Sequence, residues 1–236
     1  MVPKTLAPKT LPTTHALVSQ CAGGLTSSIS YIENCAGCDA SQVQKLEQAF
    51  ADVHTLVTLA KTIDTSKRPW SNYFGKQGDG KTEDEKYAKA IFFKSDNPES
   101  KNNLNSRHMR APEGERPSRK GPKKEYWCED HKNIKWYELA AQHILHEMTH
   151  VDSVGKQAGL PEYTGKDGVT AHGTDDWKTT NYIKNARLLA NNWQKDEAKC
   201  EENHEMPPYR NADNIAMSAL EWYFTEHCSL EASIPL

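Results

Sequence analysis

The sequence has no run of about 18 apolar residues, so it predicts no membrane-spanning helix. It also lacks an excess of charge of either sign, because the formal net charge is −3 and the isoelectric point is about 6.4. This balance gives no reason to expect nucleic acid as a partner. Asn-x-Ser/Thr sequons are absent, so N-glycosylation gives no indication of the compartment. We therefore expect no membrane and no nucleic-acid partner.

The N-terminus also lacks the apolar core of a signal peptide. Residues 1–19 are rich in Pro and Thr, and we expect them to be an extended segment. The remaining residues, 20–236, are long enough to bury a core as one domain, or as two lobes that share a cleft.

The six cysteines are even in number and spread along the chain: Cys21, Cys35, Cys38, Cys128, Cys200 and Cys228. This usage favours a disulfide framework in an oxidising compartment, with a connectivity that the sequence alone cannot give. Cys35 and Cys38 also form a CxxC pair, but no second CxxC and no βαβ pattern accompanies it. We expect a secreted protein in its mature form, with Met1 as an added start.

Apolar residues recur at helical spacing in four stretches, which predict helices over 41–63, 133–154, 179–199 and 212–227. Ser41 and Gln44 have the spacing of a capping box at the start of the first predicted helix, and Gly155 predicts the end of the second. Residues 68–75 predict a buried turn or short helix, and residues 87–94 predict a strand. The basic segment 107–124 is interpreted as a solvated surface loop rather than a patch for an anionic partner.

The second predicted helix carries the motif His146-Glu147-Met148-Thr149-His150. Residues i and i+4 project from one helix face, so His146 and His150 can present imidazole nitrogens to one metal ion. Glu147 lies about 100° round the helix, within reach of a water bound to that ion, and is placed as a general base. The pattern predicts metal-assisted hydrolysis, in which zinc activates the water.

A short motif also arises by chance, and the alternative is a half-exposed helix whose histidines only form hydrogen bonds. The surrounding apolar residues favour a buried helix, where histidines without partners cost free energy; they are Ile144, Leu145, Met148 and Val151. We therefore predict a metal site, with His143 as a packing residue or a support for the ligands rather than a ligand.

A catalytic zinc site needs a third protein ligand. The segment "AHGTDDW" offers three candidates, His172, Asp175 and Asp176. Asp152 follows His150 by only two residues and faces another side of the predicted helix. A glycine-rich connection can bring Asp176 back to the histidines.

The stretches "ILHEMTH", "GTDDW", "RLLANN" and "YRNADNIAMSALEWYF" stand in this order, and together they resemble the deuterolysin family of fungal zinc endopeptidases, the aspzincins. The upstream stretches "WSNYFG" and "YWCED" are similar to the same family, so the resemblance covers roughly residues 30–228. It implies a mainly helical α+β fold of the zincin type, with the HExxH helix at the base of a cleft and a small antiparallel sheet.

Carried over residue by residue, the resemblance implies His146, His150 and Asp176 as ligands of one Zn²⁺ and Glu147 as the general base. The family's GTxDxxYG pattern is broken after Asp176, since Trp-Lys-Thr-Thr follows, and Tyr182 is left as a candidate for the missing tyrosine.

In the lysine-specific members of the family, two acidic residues contribute to the substrate pocket, and only one of them has a counterpart here. Asp213 matches the aspartate of the family's NAD motif, and Ala216 stands where the second acid would be. Asp213 is therefore a candidate for substrate binding, and lysine specificity does not follow.

A related group of fungal secreted antigens has a degraded motif and binds or scavenges zinc, and the sequence is similar to it as well. Glu147 favours catalysis, because a zinc-scavenging protein needs no general base. The sequence thus predicts a secreted, monomeric zinc endopeptidase acting on protein or peptide substrates. The alternative is a secreted zinc-binding antigen or effector without significant proteolysis.

Overall fold

The computed structural model describes residues 39–75, 83–95, 139–165, 168–178 and 181–228. The chain forms two compact units, with the boundary between Gln48 and Ala49. This boundary falls within helix α1 (Ala40–Ala60). The predicted class is confirmed at the level of α+β, mainly helical, because the described elements are helices with one small antiparallel sheet. The predicted division into residues 1–19 and 20–236 stays a prediction.

Helix α1 begins with a capping box, but not the predicted one. The Asp39 carboxylate accepts the Gln42 N–H at 2.9 Å, and the Gln42 amide oxygen accepts the Asp39 N–H at 2.9 Å. Asp39 and Gln42 have the same three-residue spacing as Ser41 and Gln44, and Asp39 comes first along the chain. The prediction of the helix is confirmed, and that of its cap is wrong.

Among the described residues from Ala49 onward, the core is built from helices that pack through apolar faces. Helix α2 (Arg68–Phe74) confirms the short helix predicted for residues 68–75, and its Trp70 and Phe74 rings lie 4.3 Å apart. It packs against two longer helices, α6 (Tyr182–Lys195) and α8 (Ala212–Cys228). Every residue of α8 from Ala212 to Phe224 is buried, so α8 is the central helix of this core.

The strand predicted over residues 87–94 is wrong, because these residues belong to helix α3 (Glu83–Ser95). Tyr87, Ala88, Ile91 and Phe92 are buried at a spacing that matches one helix face. A short apolar run does not distinguish a strand from a buried helix, and acidic residues in the first turn favour the helix.

The single helix predicted up to Val154 is wrong in its end, and its residues 133–138 lie outside the described part. Helix α4 (Ala140–His150) stops at His150, because Val151 is extended with φ −66° and ψ 120°. Helix α5 (Asp152–Ala158) follows at once and contains Gly155. Gly159 ends α5 in the left-handed conformation, with φ 76°.

Two short strands form an antiparallel pair after α5. Tyr163 of β1 (Tyr163–Thr164) pairs with Ala171 of β2 (Thr170–Ala171). The helix predicted over 179–199 is wrong in its continuity, and its residues 179 and 180 lie outside the described part. The described residues form two helices, because Asp196 has extended φ and its carboxylate caps α7 (Glu197–Glu202) by accepting the Lys199 N–H at 3.1 Å. A 3₁₀ turn, Pro208–Arg210, leads into α8, which confirms the fourth predicted helix.

Cys200 is buried and forms no disulfide within the described part of the chain. The side chains of the other five cysteines, the N-terminal residues 1–19 and the basic segment 107–124 lie outside the described residues. The disulfide framework therefore stays a prediction. Among the helices that can be described, none combines the length and apolar character needed to cross a membrane.

A buried polar network joins three of the core helices. The Glu221 carboxylate, 1% exposed, accepts hydrogen bonds from Arg187 Nη2 of α6 and Asn72 Nδ2 of α2, each at 2.7 Å. We expect Glu221→Ala to lower the free energy of unfolding by about 3 to 5 kcal/mol, since it leaves the Arg187 cation without its carboxylate. Urea denaturation measures this loss. Glu201→Ala, at an exposed position, should change it by less than about 0.5 kcal/mol.

Candidate metal centre

Three potential ligand atoms converge between the end of α4 and the segment that follows β2. His146 Nε2 and His150 Nε2 are 3.2 Å apart. Asp176 Oδ1 lies 3.3 Å from His146 Nε2 and 3.5 Å from His150 Nε2. The cluster can hold a metal ion, because each residue offers one ligand atom toward the same point.

The three distances form a nearly equilateral triangle. Bonds of about 2.0 to 2.1 Å in a tetrahedral arrangement place neighbouring ligand atoms about 3.3 to 3.4 Å apart. The side chains therefore stand close to the positions of three tetrahedral ligands without rearrangement.

Asp176 Oδ1 is a buried oxygen that accepts no hydrogen bond from the residues the structure describes. A buried carboxylate oxygen in this situation is costly unless a cation or a proton compensates it. It points to the same place as the two imidazole nitrogens, so one bound cation satisfies it together with them.

Hydrogen bonds on the far side of each imidazole fix which nitrogen faces the centre. His146 Nδ1 lies 2.9 Å from Asp213 Oδ1, and His150 Nδ1 lies 2.9 Å from the Thr174 carbonyl oxygen. Both partners only accept, so each Nδ1 carries the proton and donates it. The Nε2 atoms are then left to bind a metal, and such outer partners also make imidazoles more basic ligands.

The electrostatics of the cluster favour positive charge. Burial opposes charging of His146, but its contacts with Asp176 and Asp213 outweigh burial and raise its pKa to about 10. The contact with His146 likewise lowers the pKa of Asp176. A proton and a metal ion thus compete for the same negative field, and binding a metal requires the neutral imidazole.

The segment that carries Asp176 is attached directly to the end of α4. The Thr174 N–H donates to the Thr149 carbonyl at 2.9 Å, and the two hydroxyl oxygens are 2.7 Å apart. A Cβ on Gly173 would lie 2.2 Å from the His150 carbonyl oxygen, and one on Gly155 would lie 2.0 Å from that of His172. Only glycine permits these close backbone approaches.

The same segment is attached on its other side to the start of α8. Asp175 and Asn211 form a parallel bridge, in which the Ala212 N–H donates to the Asp175 carbonyl at 3.1 Å. Asn211 Oδ1 accepts the Trp177 N–H at 3.1 Å. Asp176 is therefore held between the ligand helix and the helix that supplies Asp213.

The remaining candidates for the third ligand lie elsewhere. The Asp175 carboxylate accepts the Asp176 N–H at 2.8 Å and is not part of the cluster. The Asp152 carboxylate accepts the His172 N–H at 2.7 Å and lies 3.1 Å from His172 Nδ1, so these two residues pair with each other.

The predicted catalytic and substrate-binding residues lie outside the triangle of ligand atoms. Glu147 is exposed on α4, and no described contact joins its side chain to the cluster. Tyr182 opens α6, with its ring 6.3 Å from the exposed His143 in an edge-on contact. Asp213 contacts His146 and is 5% exposed, a position that the sequence did not indicate. Its predicted role in substrate binding stays a prediction.

Sequence reasoning missed Thr174, Asn211 and Arg210, which hold the segment around Asp176 in place. Thr174 acts through its backbone and its hydroxyl, and Asn211 through its backbone and its Oδ1, in contacts with residues distant in the sequence that no local pattern reveals. Arg210 is 1% exposed, and a buried arginine cannot be recognised from composition. The sequence offers one indication of its importance: Arg210 directly precedes the Asn-Ala-Asp stretch, residues 211–213.

Comparisons of this chain with protein-family models, with curated proteins and with solved structures find no match.

Gly173→Ala should displace the segment that carries Asp176, because its Cβ would overlap the His150 carbonyl. We expect weaker binding of a divalent metal ion and a lower free energy of unfolding, measured by chelator competition and by urea denaturation. Gly168→Ala is the matched control, since no described atom obstructs its Cβ and only its φ of 80° opposes it. That control should cost about 1 kcal/mol and leave metal affinity unchanged. Equal metal affinities in the two variants would show that the close approach of Gly173 to the His150 carbonyl does not position Asp176.

Asp213→Asn should weaken metal binding about 10- to 100-fold, since it removes the negative charge that supports His146. The measurement is a competitive titration with a chromophoric chelator. Asp196→Asn, which alters an exposed helix cap, should leave this affinity unchanged. Unchanged affinity in Asp213→Asn would show that the His146 contact does not tune the site.

Proposed function

We propose that this protein is a secreted zinc-dependent endopeptidase of the deuterolysin type, with a zincin-like arrangement around the metal centre. The observation that carries the proposal is the triangle formed by His146 Nε2, His150 Nε2 and Asp176 Oδ1, with sides of 3.2 to 3.5 Å. Two imidazoles and a carboxylate are a donor set that suits zinc, so these three residues would hold the ion and leave it accessible to water or substrate.

The buried Asp176 Oδ1, which lacks a hydrogen bond from any described residue, supports the same reading. A bound zinc ion supplies Lewis acidity, which polarises a peptide carbonyl and makes water a better nucleophile near neutral pH. His146 and His150 would hold the ion through Nε2, and their Nδ1–H groups are fixed by Asp213 and the Thr174 carbonyl. These residues bind and orient but move no proton in the reaction.

Glu147 is the residue of the chain that moves the proton. It directly follows one ligand on α4 and is exposed, so water and a peptide can reach its carboxylate. It accepts a proton from the attacking water and delivers it to the nitrogen of the departing amine, which must be protonated to leave. The substrate is a protein or peptide, and the chain acts as a monomer.

The second candidate is a secreted zinc-binding antigen or effector without significant proteolysis. One observation favours it: among the described residues, no contact orients the Glu147 carboxylate toward the cluster. In that case the ligands serve to retain zinc, and Glu147 is an ordinary surface glutamate.

Glu147→Gln separates the two functions. For the endopeptidase, we expect wild type and variant to bind about one zinc each, while only the wild type cleaves casein, because glutamine cannot accept the proton. Zinc is quantified in both samples, and Glu162→Gln, at another exposed position, should retain activity. Zinc in both proteins and cleavage by neither would favour the antigen. Cleavage by both would exclude Glu147 as the base.

A further inference from the structure

Arg210 is a buried cation near the metal centre. It ends the 3₁₀ turn before α8, is 1% exposed, and has no carboxylate at ion-pair distance among the described residues. The rings of Tyr163 and Tyr209 flank its guanidinium, with centroids 5.6 and 5.8 Å away. Burial lowers its pKa. A desolvated charge without a carboxylate is retained only where its hydrogen bonds compensate the loss of water.

The donors of Arg210 are used on backbone carbonyls. Nη1 donates to the carbonyl oxygens of His172 at 2.9 Å and Gly173 at 3.0 Å. Nη2 donates to the carbonyl of Pro161, just before β1. One planar guanidinium thus joins the two ends of the segment that contains β1 and β2.

The backbone of Arg210 contacts the same segment. Its carbonyl accepts the Asp175 N–H at 2.8 Å, in the residue just before the ligand Asp176. Three residues after Arg210, Asp213 accepts the hydrogen bond of His146. Arg210 therefore lies between the backbone that positions Asp176 and Asp213, the residue that contacts His146.

We propose that Arg210 is a positioning residue of the metal centre, which fixes the Asp176 carboxylate by holding the carbonyls of Pro161, His172 and Gly173. The proposal rests on the proposed metal site. Its role differs from general core stabilisation, because the contacts converge on the two backbone stretches that frame the third ligand. Lysine cannot replace it, since one ammonium group lacks the planar fork that reaches three oxygens together.

The experiment compares Arg210→Lys with Arg187→Lys. Arg187 is the matched control, because it is also largely buried and hydrogen-bonded, but to Glu221 in the core. Two quantities are measured: zinc affinity by chelator competition, and amide hydrogen exchange of Thr174 and Asp175 in the metal-free protein. Urea denaturation records the stability of both variants.

We expect Arg210→Lys to weaken zinc binding about 10- to 100-fold and to speed exchange of the Thr174 and Asp175 amides. Arg187→Lys should lower stability while leaving both quantities as in the wild type. If Arg210→Lys does not fold, Arg210→Gln, which keeps a planar donor for one carbonyl, is measured in its place.

Unchanged exchange and unchanged zinc affinity in the Arg210 variant, with only a loss of stability like that of Arg187→Lys, would overturn the proposal. A wild-type protein that binds no zinc would reject the proposed function instead. The exchange measurement still tests the proposal in that case, because it needs no metal. Thr174 and Asp175 amides that exchange as slowly in the Arg210 variant as in the wild type would show that Arg210 does not fix this segment.

Discussion

The candidate metal centre depends on one backbone crossing, where Gly173 packs against the end of α4. Two ligands on one helix come together through helical geometry alone, but the third lies in a separate segment. Its carboxylate reaches them only because glycine allows the chain to approach the His150 carbonyl, and because Thr174 pairs with Thr149 there. The crossing lies at the point where α4 ends, since Val151 has extended backbone and the helix stops at His150.

A second constraint acts from the central helix of the core. Asp213 lies in the first turn of α8 and its carboxylate holds His146, while the residues just before it bind the backbone of Asp175. The position of the ligands is therefore tied to the packing of α8 against α4 and the other core helices. Rigid support of this kind keeps ligand atoms within the narrow tolerances that a metal ion requires. The contacts that hold the core together therefore also hold the candidate ligands in position.

The sequence was sufficient where chemistry followed local geometry. The i, i+4 spacing of His146 and His150 placed both on one face, and Asp176 was among the candidates for the third position. The prediction failed where long-range contacts matter. Residues 87–94 form a helix whose apolar face lies in the core, and α4 ends at His150, where the segment of Gly173 and Thr174 packs against it. Arg210 and Asp213 act through partners distant in sequence or through backbone groups, which periodicity does not reveal.

The spacing of the ligands along the chain has a consequence for the unfolded protein. Asp176 follows His150 by 26 residues, so an ion bound to both closes a loop that contains α5, β1 and β2. In the chain-entropy model, a covalent cross-link over such a length stabilises a protein by about 3.5 kcal/mol, because it restricts the unfolded chain. A bound metal acts on this segment as a reversible cross-link, in a part of the chain where the described residues contain no disulfide. Such an ion would stabilise the folded state as well as form part of the site.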